Sequence, residues 1–200
     1  LGDEEVTGVK LESKQELDCD LVVVAVGVRP NIELVEETEI EVNRGIIVNN
    51  RLETSAADIY AAGDVAEGDD LVRGSKEVVP IWPDAYNQGW TAGKNMAGAK
   101  EDYSDSFSRN SIGFFGLPMI TAGIIDSEGE DYEVLVTKDE EEKIYKKIII
   151  KEDKIVGFIY LNDIDRAGIL TGLIKEEKNI AEVKDQLLSD EFGYLSFSKE

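Results

Sequence analysis

Histidine is absent from the 200 residues, and cysteine occurs once. The first absence excludes Ser-His-Asp and Cys-His catalysis and histidine metal sites. One cysteine, Cys19, closes no internal disulfide, which fits a reducing compartment. It lies between acids in ELDCDLVVV and reads as structural rather than redox-active. Basic residues are scarce: 21 Lys and Arg stand against 43 Asp and Glu, for a net charge of −22. A field of that sign repels phosphate backbones, so no nucleic-acid partner is expected. The acidity reads as a solvated surface rather than a recognition tail. No apolar run approaches ~18 residues, so no membrane span is expected. The opening LGDEEVTG lacks the basic and apolar regions of a signal peptide, and the expected location is cytoplasmic. With no imidazole, chemistry falls to a cofactor, to carboxylates or to residues elsewhere.

What is present divides into two parts. Residues 6–11 alternate loosely and turn at Ser13-Lys14-Gln15. Residues 21–26, LVVVAV, form a β-branched run that predicts a strand covered on both faces. GVRPN follows, and Asn31 can cap a short helix over 32–37. Further strands are predicted over 44–50 and 59–62, with a loop or broken hairpin over 66–79. A helix is predicted over 83–96, with Pro83 in its first turn and Gly98 ending it. Ala85, Gly89, Ala92, Gly93 and Ala97 give it one flat, small-residue face suited to close approach by a sheet or a cofactor. The composition of 103–110 marks a boundary. Strands over 119–125, 132–137, 143–151 and 154–161 then suggest an antiparallel meander. Asp163 caps a helix with an apolar stripe at Ile164, Ala167, Ile169, Leu170, Leu173 and Ile174. A last helix over 180–188 and an aromatic tail, FGYLSFS, complete the pattern.

The stretch TSAADIYAAGDVAE carries the chemistry. An apolar segment shrinks to Ala61-Ala62-Gly63 and then offers one carboxylate, Asp64. Small residues let a ligand or another backbone approach closely. An ionised carboxylate only accepts hydrogen bonds, which suits a hydroxyl donor. The competing reading of an isolated Gly-Asp is a turn.

LVVVAVGVRPN followed by this stretch resembles the two-dinucleotide flavoprotein reductases. Thr54 to Asp64 matches their pattern T-x-x-x-x-[IV]-[YF]-A-x-G-D, the second FAD-binding segment. The resemblance implies that Asp64 accepts a bond from a ribityl hydroxyl, that Gly63 gives clearance and that Val65 lies beside the flavin chain. It also implies that Gly27 passes near the flavin where the nucleotide-binding domain returns to the FAD domain. The helix WPDAYNQGWTAGKNMAG is similar to the family helix whose start points at the flavin pyrimidine ring, with Ile81, Trp82 and Pro83 nearest. Helix starts stabilise negative charge, which a reduced flavin carries there. Core packing through the small face is compatible with that role. Residues from FFGLPMITAG to DRAGILTGLIKEE resemble the C-terminal domain of NADH:rubredoxin reductases and of the large subunit of NADH-dependent nitrite reductases.

The resemblance implies an α/β fold, a partial FAD/NAD(P)-binding two-dinucleotide fold with the second FAD segment, followed by an α+β C-terminal domain with an antiparallel sheet. The expected domains are 1–28, the end of the NAD(P)H-binding domain; 29–105, the C-terminal segment of the FAD-binding domain; and 106–200, the C-terminal α+β domain. The G-x-G-x-x-G that the family uses for each dinucleotide pyrophosphate is absent, since AGKNMAG has the wrong spacing. The chain is therefore read as the C-terminal half of a reductase, inactive alone, with no catalytic residue and no metal ligand of its own. The cofactor is FAD, and NAD(P)H is the substrate of the parent. Without histidine or the paired cysteines, electrons are expected to go to a protein, oxygen or a metal centre rather than to a disulfide. A homo-oligomer is expected, because strand neighbours are missing. The alternative is a non-enzymatic dimerisation or partner-docking module built on the C-terminal part and its aromatic tail, whose competing role is packing on its own domain. A carboxylate hydrolase is set aside for want of an acidic pair.

Overall fold

The computed structural model describes residues 1–127 and 132–198. Residues 199–200, the end of the expected last domain, lie outside the described residues. The chain starts with a hairpin, β1 (Gly8–Lys10) antiparallel to β2 (Glu16–Asp18), turned where Lys14 takes a φ of 69°. The strand expected over 21–26 does not form. These residues pair with nothing, and Val26 is 90% exposed. A β-branched run of this kind needs neighbours on its edges and covers on its faces, and the described residues supply neither. The helix expected over 32–37 is a run of turns. Asn31 still accepts the Glu33 N–H at 3.1 Å, so the cap is present without the helix.

A small mixed sheet follows. β3 (Ile46–Ile47) lies parallel to β4 (Ala66–Asp69), which pairs antiparallel with β5 (Lys76–Glu77). The 66–79 segment is thus the hairpin of the two expected alternatives. Residues 59–62 are not a strand, contrary to expectation. Asp58 (φ 61°) and Gly63 (φ 83°) break the backbone on either side. What remains is one bridge, Glu53 to Tyr60, with the Ala61 N–H donating to the Leu52 carbonyl at 3.1 Å. Buried Glu67 braces this region by accepting from the Gly45 N–H and from Asn43, each at 2.8 Å. Val35, Ile40, Ile46, Val48, Leu52, Ala61 and Ala66 form a modest apolar core beneath it.

Helix α1 (Trp82–Met96) forms close to its expected limits, and Gly98 follows it with a φ of 93°. Its buried face, however, is Asp84, Gln88, Thr91, Ala92 and Asn95. A Cβ placed on Gly89 or Gly93 would meet nothing within 4 Å. The small-residue face is therefore largely open, with Trp82, Tyr86, Trp90 and Met96 also exposed around it.

The second half is a five-stranded antiparallel sheet: β6 (Arg109–Phe114), β7 (Leu117–Gly123), β8 (Glu133–Asp139), β9 (Ile144–Lys151) and β10 (Lys154–Leu161). The spatial order is β6-β7-β10-β9-β8, so β8 to β10 form a meander and β10 closes on β7. β6 (RNSIGF) was not expected: its first two residues fall in the polar boundary segment, and only Ile112 and Phe114 have strand character. Gly123 and Gly157 face each other where the β9–β10 register shifts. A Cβ on Gly157 would meet the Ile124 carbonyl at 1.8 Å, so the irregularity depends on glycine.

Helix α2 (Ala167–Lys175) packs on this sheet through Ala167, Leu170, Leu173 and Ile174, as its stripe requires. Arg166, not Asp163, occupies its cap position, in the left-handed region. Asp163 instead takes Lys146 Nζ at 2.6 Å, and that bond holds its carboxyl below the usual range. The last helix expected over 180–188 is a set of turns around a 3-10 segment, Lys184–Gln186. Ile180, Val183 and Leu187 still enter the core at helical spacing. Phe192 is buried and meets Phe197 edge-on at 6.2 Å, so part of the aromatic tail packs on its own domain while Tyr194 and Leu195 stay exposed.

Phe158 lies at the centre of the second core, fully buried and edge-on to Tyr160 at 5.5 Å. Phe158→Ala is expected to cost about 3–5 kcal/mol, read as a lowered denaturant midpoint with an unchanged slope. A loss under about 1 kcal/mol would contradict this placement of the core.

Candidate functional site

Gly63 takes a φ of 83° at the end of the small-residue segment. Its N–H donates to Gln88 Oε1 at 2.7 Å, and a Cβ placed on it would touch Ala85 at 3.6 Å. The AAGD turn is thereby pressed against the first two turns of α1. Its carbonyl accepts the Ala66 N–H at 2.9 Å, which directs the chain into β4. Asp64, between them, is exposed, and among the described residues its carboxylate makes no hydrogen bond or ion pair. Val65 is half-buried, and its carbonyl takes the Ile46 N–H at 2.8 Å.

The α1 end beside this turn is open. Ile81 holds the cap position at φ −131° and ψ 145° and has no capping side chain. Pro83 has no N–H, and Trp82 is 85% exposed. First-turn N–H groups without a side-chain cap leave a partial positive charge facing outward. Gly63 is thus held against Ala85 and Gln88, in the helical turns that follow Ile81, Trp82 and Pro83, and Asp64 and Val65 follow it in sequence. Gly27 is not held there. It is exposed at φ 110° and lines a hollow of about 510 Å³ with Arg29, Pro30 and Arg44, none of the other six residues taking part.

The sequence reading missed Gln88 and Asp84. Polar residues at 84, 88, 91 and 95 fall on one helical face, a signal present in WPDAYNQGWTAGKN but obscured by its alanines and glycines. The Asp84 carboxylate is 0% exposed. It accepts from Ser106 Oγ at 2.6 Å and from Arg109 Nη2 at 2.8 Å. Burial outweighs both and holds its carboxyl above the ordinary 3.8. Asp70, also buried, is raised by the same cause against the Arg73 and Val72 N–H bonds it accepts. Burial, then the nearby Asp84 charge, pushes the Tyr103 phenol up, and its hydroxyl has no hydrogen-bond partner among the described residues.

Residues 1–89 match the family described as pyridine nucleotide-disulphide oxidoreductase, and residues 110–178 match the rubredoxin NAD+ reductase C-terminal domain. Residues 1–89 thus resemble a pyridine nucleotide-disulphide oxidoreductase segment, and residues 110–178 resemble a rubredoxin-reductase C-terminal domain. It is 34% identical over 198 residues to a nitrite reductase (NAD(P)H) of Bacillus subtilis, covering 96% of this chain and 24% of that protein. The crystal structure of NADH:rubredoxin oxidoreductase from Clostridium acetobutylicum is similar with a TM-score of 0.61 and 32% identity, over 80% of this chain and 40% of that one. A ferredoxin reductase from Rhodopseudomonas palustris is similar with a TM-score of 0.73 and 26% identity, over 90% of this chain and 43% of that one. The chain thus spans less than half the length of each of these relatives. The family uses FAD and NAD(P)H. The open helix end, the glycine turn beside it and a free acceptor carboxylate fit one side of a flavin site. No helix among the described residues is long and apolar enough to cross a membrane.

The raised carboxyls carry a pH dependence. Each folded-state value lies above its unfolded one, so the stability each contributes is fully present below the unfolded pKa of 3.8. It is lost as pH rises through the folded value. Across roughly pH 4 to 7, an Asp70→Asn, Asp84→Asn double variant is expected to lose less stability with rising pH than the wild type. Denaturant midpoints measured in parallel check this, and parallel curves would contradict it.

Proposed function

We propose that this chain supplies the second FAD segment and the C-terminal domain of a flavoprotein oxidoreductase that passes electrons from NAD(P)H through FAD to an acceptor. In this reading residues 1–28 end the NAD(P)H-binding domain, 29–105 complete the FAD-binding domain, and 106–200 form the C-terminal domain. The observation that carries it is the Gly63–Asp64 turn, bonded to α1 through Gln88, with an uncommitted carboxylate beside an uncapped helix end. FAD, when bound, supplies hydride acceptance from NAD(P)H and onward electron transfer. The chain's own residues bind and orient. Asp64 accepts a ribityl hydroxyl, Gly63 leaves room for the cofactor chain, and Val65 lines its side. The α1 start at Ile81, Trp82 and Pro83 places partial positive charge toward the pyrimidine ring. Gly27 contacts the flavin in this reading only once the apolar run beside it is packed.

That run supports the need for more polypeptide. Leu21, Val23, Val24, Val26 and Val28 are exposed together, as are the aromatics of α1. Apolar surface of this extent normally marks an interface. The remainder of a reductase fits it, given how little of each relative the chain spans. A second copy of the chain would cover the same surface, which keeps self-association as the second reading. The names of the relatives, a rubredoxin reductase and a ferredoxin reductase among them, support a small electron-transfer protein as acceptor.

In the flavoprotein containing this chain, Asp64→Ala is expected to weaken FAD binding by about 10- to 100-fold, the size of a lost charge-assisted hydrogen bond. Asp64→Asn, which keeps an acceptor oxygen, is expected to lose less. Fluorescence titration of the apoprotein with FAD reads both. Unchanged affinity in Asp64→Ala, or NADH oxidation by the 200-residue chain alone, would overturn the reading.

A further inference from the structure

Helix α1 has an unusual support. It packs broadly against no strand, and of its residues only Ala92 joins the first apolar core. Where apolar packing is thin, hydrogen bonds from buried side chains decide where a helix sits. Near its end, Asn95 donates to the carbonyls of Arg51 and Glu101 at 2.9 and 2.8 Å. In its middle, Gln88 accepts from Gly63. At its first turn the tie is Asp84. Among the described side-chain bonds of α1, only those of Asp84 cross to β6 and the segment leading into it.

The far side of that tie is itself anchored. Arg109 opens β6, and its guanidinium stacks over the Phe107 ring at 4.9 Å. Phe107 is fully buried in the second core. The Ser106 carbonyl accepts the Leu71 N–H at 2.8 Å. A mechanical line therefore runs from the α1 first turn through a fully buried carboxylate to the core under the antiparallel sheet. An acid at this third helical position ordinarily turns back to serve its own helix start. Here both of its oxygens are committed to the other domain instead.

We propose that Asp84 is a positioning residue, gripped by Ser106 and Arg109, that fixes the first turn of α1 to the antiparallel sheet. The tie rests on this geometry alone. Its functional consequence rests on the flavin reading: Ile81, Trp82 and Pro83 belong to that turn, so the sheet sets how they face the cofactor.

Backbone amide exchange of the 200-residue chain without flavin tests the tie. In Asp84→Ala the amides of Ala85, Tyr86 and Asn87 are expected to exchange about tenfold faster or more. Those of Lys94 to Met96, held by Asn95, and those of β9 and β10 are expected to keep their wild-type rates. Asp84→Asn, which keeps the shape and an acceptor for Arg109, is expected to restore most of the protection. No change, equal acceleration across α1, β9 and β10, or an Asn variant as fast as Ala would overturn the proposal. Should Asp84→Ala fail to fold, Arg109→Gln approaches the tie from the sheet side and must give the same local pattern. Because no flavin is present, failure of FAD to bind the Asp64 site leaves this result untouched, and the two readings fail separately.

Discussion

The hydrogen bond from the Gly63 N–H to Gln88 Oε1, at 2.7 Å, is the contact on which the candidate site depends. It joins two pieces that the chain separates by a hairpin: the AAGD turn and the α1 start. Neither piece is a site by itself. A Gly-Asp turn is common, and an open helix end binds nothing specific. In the proposed reading they offer an acceptor, a clearance and a partial positive charge to one cofactor. Gly63 must be glycine for the positive φ, and Ala85 must be small for the turn to approach.

The same constraint explains why α1 buries polar residues and exposes aromatic ones. A helix held by Asp84, Gln88 and Asn95 can be placed accurately without a deep core beneath it, since each buried polar group is matched to a partner. The aromatics, Gly89 and Gly93 then remain open for another surface. The second half has the opposite character. Its sheet and α2 enclose a continuous apolar core of their own, with Phe107 and Phe158 fully buried. One half of this chain is closed on itself, and the other half leaves apolar and aromatic surface exposed.

The parts legible in the sequence were those where local chemistry and tertiary context agree. Helix α1 was bounded by Pro83 and Gly98, and β8 to β10 were marked by charged turns and β-branched runs. The small residues of AAGD were legible as a place of close approach, and Gly63 lies against Ala85 and Gln88. Where tertiary context decides, the sequence misled. LVVVAV has strand composition, but a strand exists only with neighbours to pair with, and the described residues supply none. Residues 180–188 carry helical spacing at Ile180, Val183 and Leu187, yet three anchors are satisfied equally well by consecutive turns. The polar face of α1 was present in the letters and overlooked, because the alanines and glycines at neighbouring positions suggested a different buried side. Gly27, expected near the same cofactor as Asp64, lines a separate hollow with Arg29 and Arg44, so its part in the site stays with the proposed reading.

The most direct measurement is a crystal structure of the complete flavoprotein with FAD bound. The account requires an Asp64 carboxylate oxygen at hydrogen-bond distance, about 2.6–3.0 Å, from a ribityl hydroxyl, with the α1 start facing the flavin pyrimidine ring and the Gly63–Gln88 bond intact. A structure with FAD bound elsewhere and Asp64 still in solvent would contradict it.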